Sequence, residues 1–221
     1  TAQFLSIVGE SFSGSEVLKG RSFLADRVGA SIAPPTVTLV DDPTDGRWPS
    51  ATPSDAEGLA TRRNVLIDAG VVSGFVHDGY SARALGARAT GSAVRHGFKS
   101  TPGAGTQSIS LLAGDHDPAS ILAAVGDGIY ISDVQGLHSG VNPVSGDFST
   151  GIEGMVIRGG ELAEAVKEVT IASTLQRMMA DISMVGSDLT AMPLDATGVT
   201  RAIADVTVSG SGRRDRDRHR P

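Results

Sequence analysis

The chain has 221 residues, 19 Lys+Arg against 25 Asp+Glu for a net charge of −6, 40% hydrophobic residues, 28 Gly, 10 Pro and no Cys. Without cysteine the chain itself can supply no disulfide, thiolate nucleophile, iron–sulfur cluster or cysteine-ligated zinc, and the cytoplasm is the default compartment. No apolar run approaches the roughly 20 residues that span a bilayer, and 4% aromatic content offers no platform for stacking nucleic-acid bases.

Phe4, Leu5, Val8 and Phe12 fall on one face of a helix. No cap residue or initiator Met precedes them, so the chain reads as part of a longer protein. Glu16, Val17, Phe23, Leu24 and Val28 predict a second helical stretch ended by Gly29, and Pro34-Pro35 stops any helix. Thr36 to Val40 is β-branched and bounded by Pro35 and by Asp41-Asp42-Pro43, which predicts a strand. From Thr44 to Gly58 the composition turns to Asp, Gly, Pro and Ser around Trp48, the only tryptophan, which predicts a long surface loop.

Asn64 to Ile67 and Val71 to His77 predict a hairpin across Asp68-Ala69-Gly70. Asp117 followed by Pro118 predicts an N-cap and first turn of a helix running through Ile121, Leu122 and Val125 to Gly126. Ile129 to Val134 reads as a strand. Met155-Val156-Ile157 and Leu162 to Val166 predict a second hairpin around Gly159-Gly160. Leu175, Met178, Met179 and Ile182 predict a helix over 173–185, stopped by Gly186, and Ile203 to Val208 predicts a closing strand. Hairpins outnumber βαβ units, so the expected class is α+β with a mostly antiparallel sheet and a few flanking helices. One domain is expected over 1–208. The tail over 209–221 holds five arginines against two aspartates and reads as disordered, which makes the rest of the chain more acidic still.

Few clusters suggest chemistry. The histidines, His77, His96, His116, His138 and His219, include no i, i+4 pair that would place two imidazoles on one helix face for zinc. Asp115-His116-Asp117 is explained by capping, and neither G-x-S-x-G nor G-x-x-x-x-G-K-[ST] occurs. Gly70 and Gly159-Gly160 read as turn formers, and Met178-Met179 as core filling. The segment from His138 to Gly151 is different: it gathers three glycines, Pro143 and several polar groups into one loop between a strand and a hairpin. Such a loop can present backbone groups to an extended peptide or simply turn a corner, and residue chemistry leaves both open.

Four collinear blocks carry a family resemblance. GVNPVSGDFSTGIEGMVIRGGELAEAVKEVTIASTLQRMMADISMVGSD (Gly140 to Asp188) resembles the C-terminal hallmark of the TldD/PmbA family, once called modulators of DNA gyrase. Val17 to Pro43, Ala56 to Gly86 and Thr90-Gly91-Ser92-Ala93 are similar to further family blocks in the same order. The resemblance implies a barrel-like C-terminal domain whose N-terminal domain lies outside this chain. It also implies a cytoplasmic peptidase system in which a TldD subunit carries an HExxxH zinc motif. A homologous PmbA (TldE) subunit lacks that motif, and the dimer degrades unfolded or precursor peptides held in an extended state.

The resemblance sets the family's zinc helix close to where this chain begins, just ahead of the block that starts at Lys19-Gly20-Arg21-Ser22. In the TldD type the block follows that helix directly, whereas FLSIVGESFSGSEVLKG (Phe4 to Gly20) here resembles the PmbA type, and the late cysteine of TldD-type metal sites is missing. The resemblance therefore implies a zinc-free partner with no catalytic or metal-binding residue of its own, zinc being expected only in a TldD-type partner. Its assembly would be a heterodimer with that homologue or a homodimer, and His138, Gly140, Asn142, Pro143, Gly146, Asp147, Phe148 and Ser149 would form a peptide-binding or dimer loop. The alternatives are an active zinc metallopeptidase with HExxxH upstream of this chain, and a DNA-associated modulator, which the acidic charge opposes.

Overall fold

The computed structural model describes residues 2–193, 200–203 and 206–208. In chain order its elements are α1 (Ala2–Glu10), α2 (Gly14–Leu18), β1 (Leu39–Asp41), β2 (Asn64–Asp68), β3 (Val71–Val72), α3 (Gly79–Leu85), β4 (Ala93–Val94), β5 (Gly103–Ala104) and β6 (Ile109–Leu111). There follow α4 (Pro118–Val125), β7 (Gly128–Gln135), α5 (Leu137–Gly140), β8 (Asp147–Arg158), β9 (Glu161–Thr174), α6 (Leu175–Ala180), β10 (Ile182–Val185), β11 (Thr190–Pro193), β12 (Thr200–Ile203) and β13 (Val206–Val208). The main sheet has the order β11-β12-β6-β1-β2-β3, and β7-β8-β9 form a separate antiparallel meander. Among the described strands pairing is antiparallel except for β12 against β6, in keeping with the α+β class. The expected barrel does not close: among the described residues the main sheet is open, with β11 and β3 at its two ends.

The core forms where α1 lies on that sheet. Leu5, Val8 and Phe12 are buried with Leu39 of β1, Leu66 and Ile67 of β2, and Ile109 and Leu111 of β6. The expected second helix stops at Leu18, because Gly20 takes a left-handed φ of 64°. Phe23 and Leu24 then reach the core from turns. The Ser22 hydroxyl donates to Ser11 O and accepts from Leu24 N, which supplies the hydrogen bonds a helix would have made. The strand expected from Val71 to His77 is only two residues long. Beyond it the backbone serves another neighbour, Val76 N donating to Phe12 O and Val76 O accepting from Gly14 N.

Two further expectations are corrected near the C-terminal end. The helix expected over 173–185 is confined to Leu175–Ala180, with Thr174 Oγ1 accepting from Arg177 N at its start. Ile182 and Val185 are buried as strand residues of β10, paired with β13. The closing strand is split, so that β12 joins the main sheet and β13 joins β10. The tail over 209–221 lies outside the described residues. Among the described residues no helix is long and apolar enough to cross a membrane.

Both hairpins form, and each turns on two left-handed residues. Gly159 and Gly160 have φ of 56° and 84° between Arg158 and Glu161, which pair directly. Ala69 and Gly70 have φ of 44° and 83° between Asp68 and Val71, so that turn has two residues rather than three. Two positive φ values are the signature of the I′ turn, which suits Asn-Gly far better than Ala-Gly. Ala69 is exposed, and its N–H contact to Thr38 Oγ1 does not depend on its side chain. Ala69→Asn is therefore expected to raise stability by about 0.5–1 kcal/mol, read as a higher midpoint in urea at unchanged slope.

Candidate functional site

The loop between β7 and β8 is built by its own backbone chemistry. Gly136, left-handed at φ 73°, lets the chain leave β7, and the single turn of α5 follows. Val141 returns to bridge Phe148 antiparallel. Asn142 then organises the tip: its Oδ1 accepts from Val144 N at 2.9 Å and Ser145 N at 3.3 Å, and its backbone O accepts from Gly146 N at 2.8 Å. That is an Asx turn enclosed in an α-turn, with Pro143 fixing φ at the second position. Gly146 is favoured by its left-handed backbone, and only a side-chain end stands close to it. Its φ is 80°, and a Cβ there would stand 2.2 Å from Gln176 Oε1. Gly140 is required by close approach, a Cβ there falling 2.2 Å from Ser149 O.

The loop walls an open groove of about 770 Å³, lined by Gly140, Asn142, Pro143, Asp147, Phe148 and Ser149 among others, with Ala172 and Ser173 of β9 on the far side. Most of the residues expected in a binding loop are thus brought together. Gly146 is not among the lining residues, and Phe148, which is, is a buried residue. Asp147 and Ser149 remain exposed, with Ser145 Oγ donating to Asp147 Oδ2 at 2.6 Å. The side chain of His138 is outside what the structure describes.

Asp117 caps α4, accepting from Ala119 N and Ser120 N, and the Ser120 N–H holds its carboxyl below the ordinary range. His116 is tied through its backbone, Ser187 N donating to its O at 2.7 Å. These contacts account for Asp117 and for the His116 backbone in structural terms.

Sequence reading missed a seam of buried polar side chains. Asp41, expected to end a strand, is the fully buried last residue of β1. Its Oδ1 accepts from Gln107 N at 2.8 Å and Ser108 N at 2.6 Å, while its Oδ2 has no partner. Burial pushes this carboxyl up to about 6, with the two N–H groups opposing and Asp42 adding slightly. Asp55 ties the Trp48 loop down by accepting from Glu57 N, Leu59 N and Ala93 N. His77 stands 3.4 Å from Ser81 Oγ, and a Cβ on Gly14 would fall 2.2 Å from its Nδ1. Burial lowers the His77 pKa, against a smaller opposing effect of Asp78.

The PmbA/TldA metallopeptidase C-terminal domain family matches residues 1–210. The chain belongs to the TldD/PmbA family. It is similar to the metalloprotease PmbA of Escherichia coli O157:H7, 32% identical over 189 residues, covering 86% of this chain and 39% of that protein. A TldD homologue from Haemophilus influenzae is 29% identical over 178 residues, covering 80% of this chain and 37% of that protein. Among solved structures, TldE from Thermococcus kodakarensis aligns with a TM-score of 0.84 at 30% identity, covering 92% of this chain and 45% of that one. The chain thus spans about two-fifths of the length of the curated relatives it matches.

A metallopeptidase family raises the question of whether the residues present could hold a metal. Among the described residues no three His, Cys, Asp or Glu side chains come together as a ligand group. The described residues therefore do not fit a metal centre of three protein ligands.

Proposed function

We propose that this chain is the PmbA/TldE-type subunit of a TldD/PmbA peptidase system in the cytoplasm. It pairs with a TldD-type homologue and completes the chamber in which unfolded or precursor peptides are held extended. The observation that carries this reading is α1. Where the family resemblance sets a zinc helix close ahead of the Lys19-Gly20-Arg21-Ser22 block, this chain has a helix without histidine, Ala2–Glu10, that buries Leu5 and Val8 in the sheet core. The groove beside Asn142 and Ser149 is the surface offered to peptide or partner, since exposed loop backbone and hydroxyls suit an extended chain.

The test is metal analysis and peptidase assay of the purified chain, alone and after co-expression with a TldD-type homologue. The isolated chain is expected to carry no stoichiometric zinc and to cleave no peptide, whereas the co-purified complex has both. Stoichiometric zinc with peptidase activity in the isolated chain overturns the reading. It would favour the second one, an active peptidase, to which the word metalloprotease in the name of the Escherichia coli relative points.

A further inference from the structure

Acids and cations are spread unevenly along this chain. Its net charge is −6, yet the stretch 79–114 carries Arg83, Arg88, Arg95 and Lys99 and not one Asp or Glu. These cations are exposed, and among the described residues none of them makes an ion pair. With no acid of the same stretch beside them, they create a local positive potential on an otherwise acidic protein.

At the centre of the stretch stands the hairpin of β4 and β5. Its root is tied to the start of α2: Ser13 Oγ donates to Ala104 O at 2.8 Å, and Ala104 N donates to Ser15 Oγ at 3.2 Å. Its tip is a β-turn, Gly97-Phe98-Lys99-Ser100, closed by Ser100 N donating to Gly97 O at 3.1 Å. The Ser100 hydroxyl closes the turn again, donating to Gly97 O at 2.8 Å and accepting from Gly97 N at 3.1 Å. Phe98 and Lys99 therefore sit at the two corners. Phe98 is 85% exposed, the most exposed large apolar side chain among the described residues, and Lys99 Nζ stands over its ring at 5.4 Å from the centroid.

We propose that the 97–100 turn docks this chain reversibly on an anionic lipid surface, Phe98 entering the headgroup layer while Arg95 and Lys99 meet lipid phosphates. A lone ring at a turn corner encloses no ligand, so it is buried only by a medium that yields around it. An aromatic ring flanked by cations suits the boundary between anionic headgroups and acyl chains. The long Lys99 side chain can lie along the ring and keep its ammonium among the headgroups. A nucleic acid would satisfy the same cations, but it would have to stack on a ring face over which Lys99 already stands. Acids elsewhere on the chain are screened over about 8 Å at physiological salt, so the local sign governs the contact. The proposal concerns where the chain is held and is independent of the peptidase reading.

Co-sedimentation of the whole chain with lipid vesicles tests it. The wild type is expected to bind phosphatidylcholine vesicles containing about 40% phosphatidylglycerol and to leave pure phosphatidylcholine vesicles alone. Binding should weaken roughly tenfold or more in Arg95→Glu/Lys99→Glu, and roughly fivefold to tenfold in Phe98→Ser. Entry of the ring is read separately in Phe98→Trp, which keeps an aromatic side chain and every charge. Its emission should move to the blue with the anionic vesicles, whereas that of the wild type, from Trp48 alone, should not. No binding of the wild type to anionic vesicles, equal binding to neutral ones, unchanged binding by either weakened variant, or an unmoved Phe98→Trp emission overturns the proposal. So does tighter binding to a fluorescein-labelled oligonucleotide or polyglutamate that survives Phe98→Ser and is lost in Arg95→Glu/Lys99→Glu, since the patch then serves a polyanion and not a bilayer.

Discussion

Gly70→Ala is expected to destabilise the chain by at least about 3 kcal/mol and to leave little folded protein at 37 °C. Two independent effects add. A left-handed conformation costs an alanine about 1–2 kcal/mol, and Gly70 has a φ of 83°. The new Cβ would then stand 2.1 Å from Ala33 O and 2.8 Å from Pro34 O, and these are backbone atoms that cannot rotate away. Relief requires the 32–37 segment to move, yet that segment is tied to this very residue. Ile32 N and Ala33 N donate to Gly70 O, and Gly70 N donates to Val37 O. Each bond weakened costs about 1 kcal/mol, and Ala33 and Val37 leave the core as the segment shifts. The neighbouring Ala69→Asn makes a built-in control, since it changes the same turn and is expected to act in the opposite direction. Urea unfolding of the two variants side by side measures both. A Gly70→Ala midpoint within error of wild type would show that the close approach to Ala33 is not real.

What the sequence made readable, and what it hid, divides by the distance over which each feature is decided. The cap at Asp117-Pro118 and the turn at Gly159-Gly160 are settled by a few adjacent residues, and both form as expected. The α1 stripe was equally plain, because Leu5, Val8 and Phe12 need only one apolar surface beneath them. The spacing Leu175, Met178, Met179, Ile182 suits a helix as well, but Ile182 is claimed by a strand partner, Val208, that no local window contains. Composition marked the Asn142 loop, while the reasons for its glycines differ: Gly140 answers to the nearby Ser149 carbonyl and Gly146 to its left-handed φ. Asp41 was hidden most completely, because the N–H groups that hold it lie 66 and 67 residues away.

That carboxylate carries the second large prediction. Asp41 is held near 6 against an ordinary 3.8, chiefly because burial penalises its charge. Between those two values the folded chain binds more protons than the unfolded one, so the contribution of this group to stability falls as pH rises. It is fully present below about pH 4 and is lost by about pH 6.5, a swing on the order of 3 kcal/mol. His77 works in the opposite sense: burial lowers its pKa, so its contribution grows as pH rises towards its ordinary value of 6.5. The total pH profile therefore mixes opposed slopes, and the quantity to measure is the difference between wild type and Asp41→Asn. The asparagine keeps an oxygen for Gln107 N and Ser108 N but cannot ionise, and its amide replaces the unpartnered Oδ2. At pH 7 it is expected to be more stable than wild type by up to about 2 kcal/mol, the relief of the buried charge being partly offset by an unsatisfied amide. Towards pH 4 that advantage should vanish or reverse. Asp41→Ala separates charge from hydrogen bonding, because it strands both N–H groups and should cost about 2–4 kcal/mol at pH 4, where Asp41 of the folded wild type is almost fully neutral. Urea midpoints from pH 4 to 7.5 decide the matter. A wild-type minus Asp41→Asn difference that stays flat across that range would mean that Asp41 is not buried as a charge at neutral pH, and that the end of β1 opens to water.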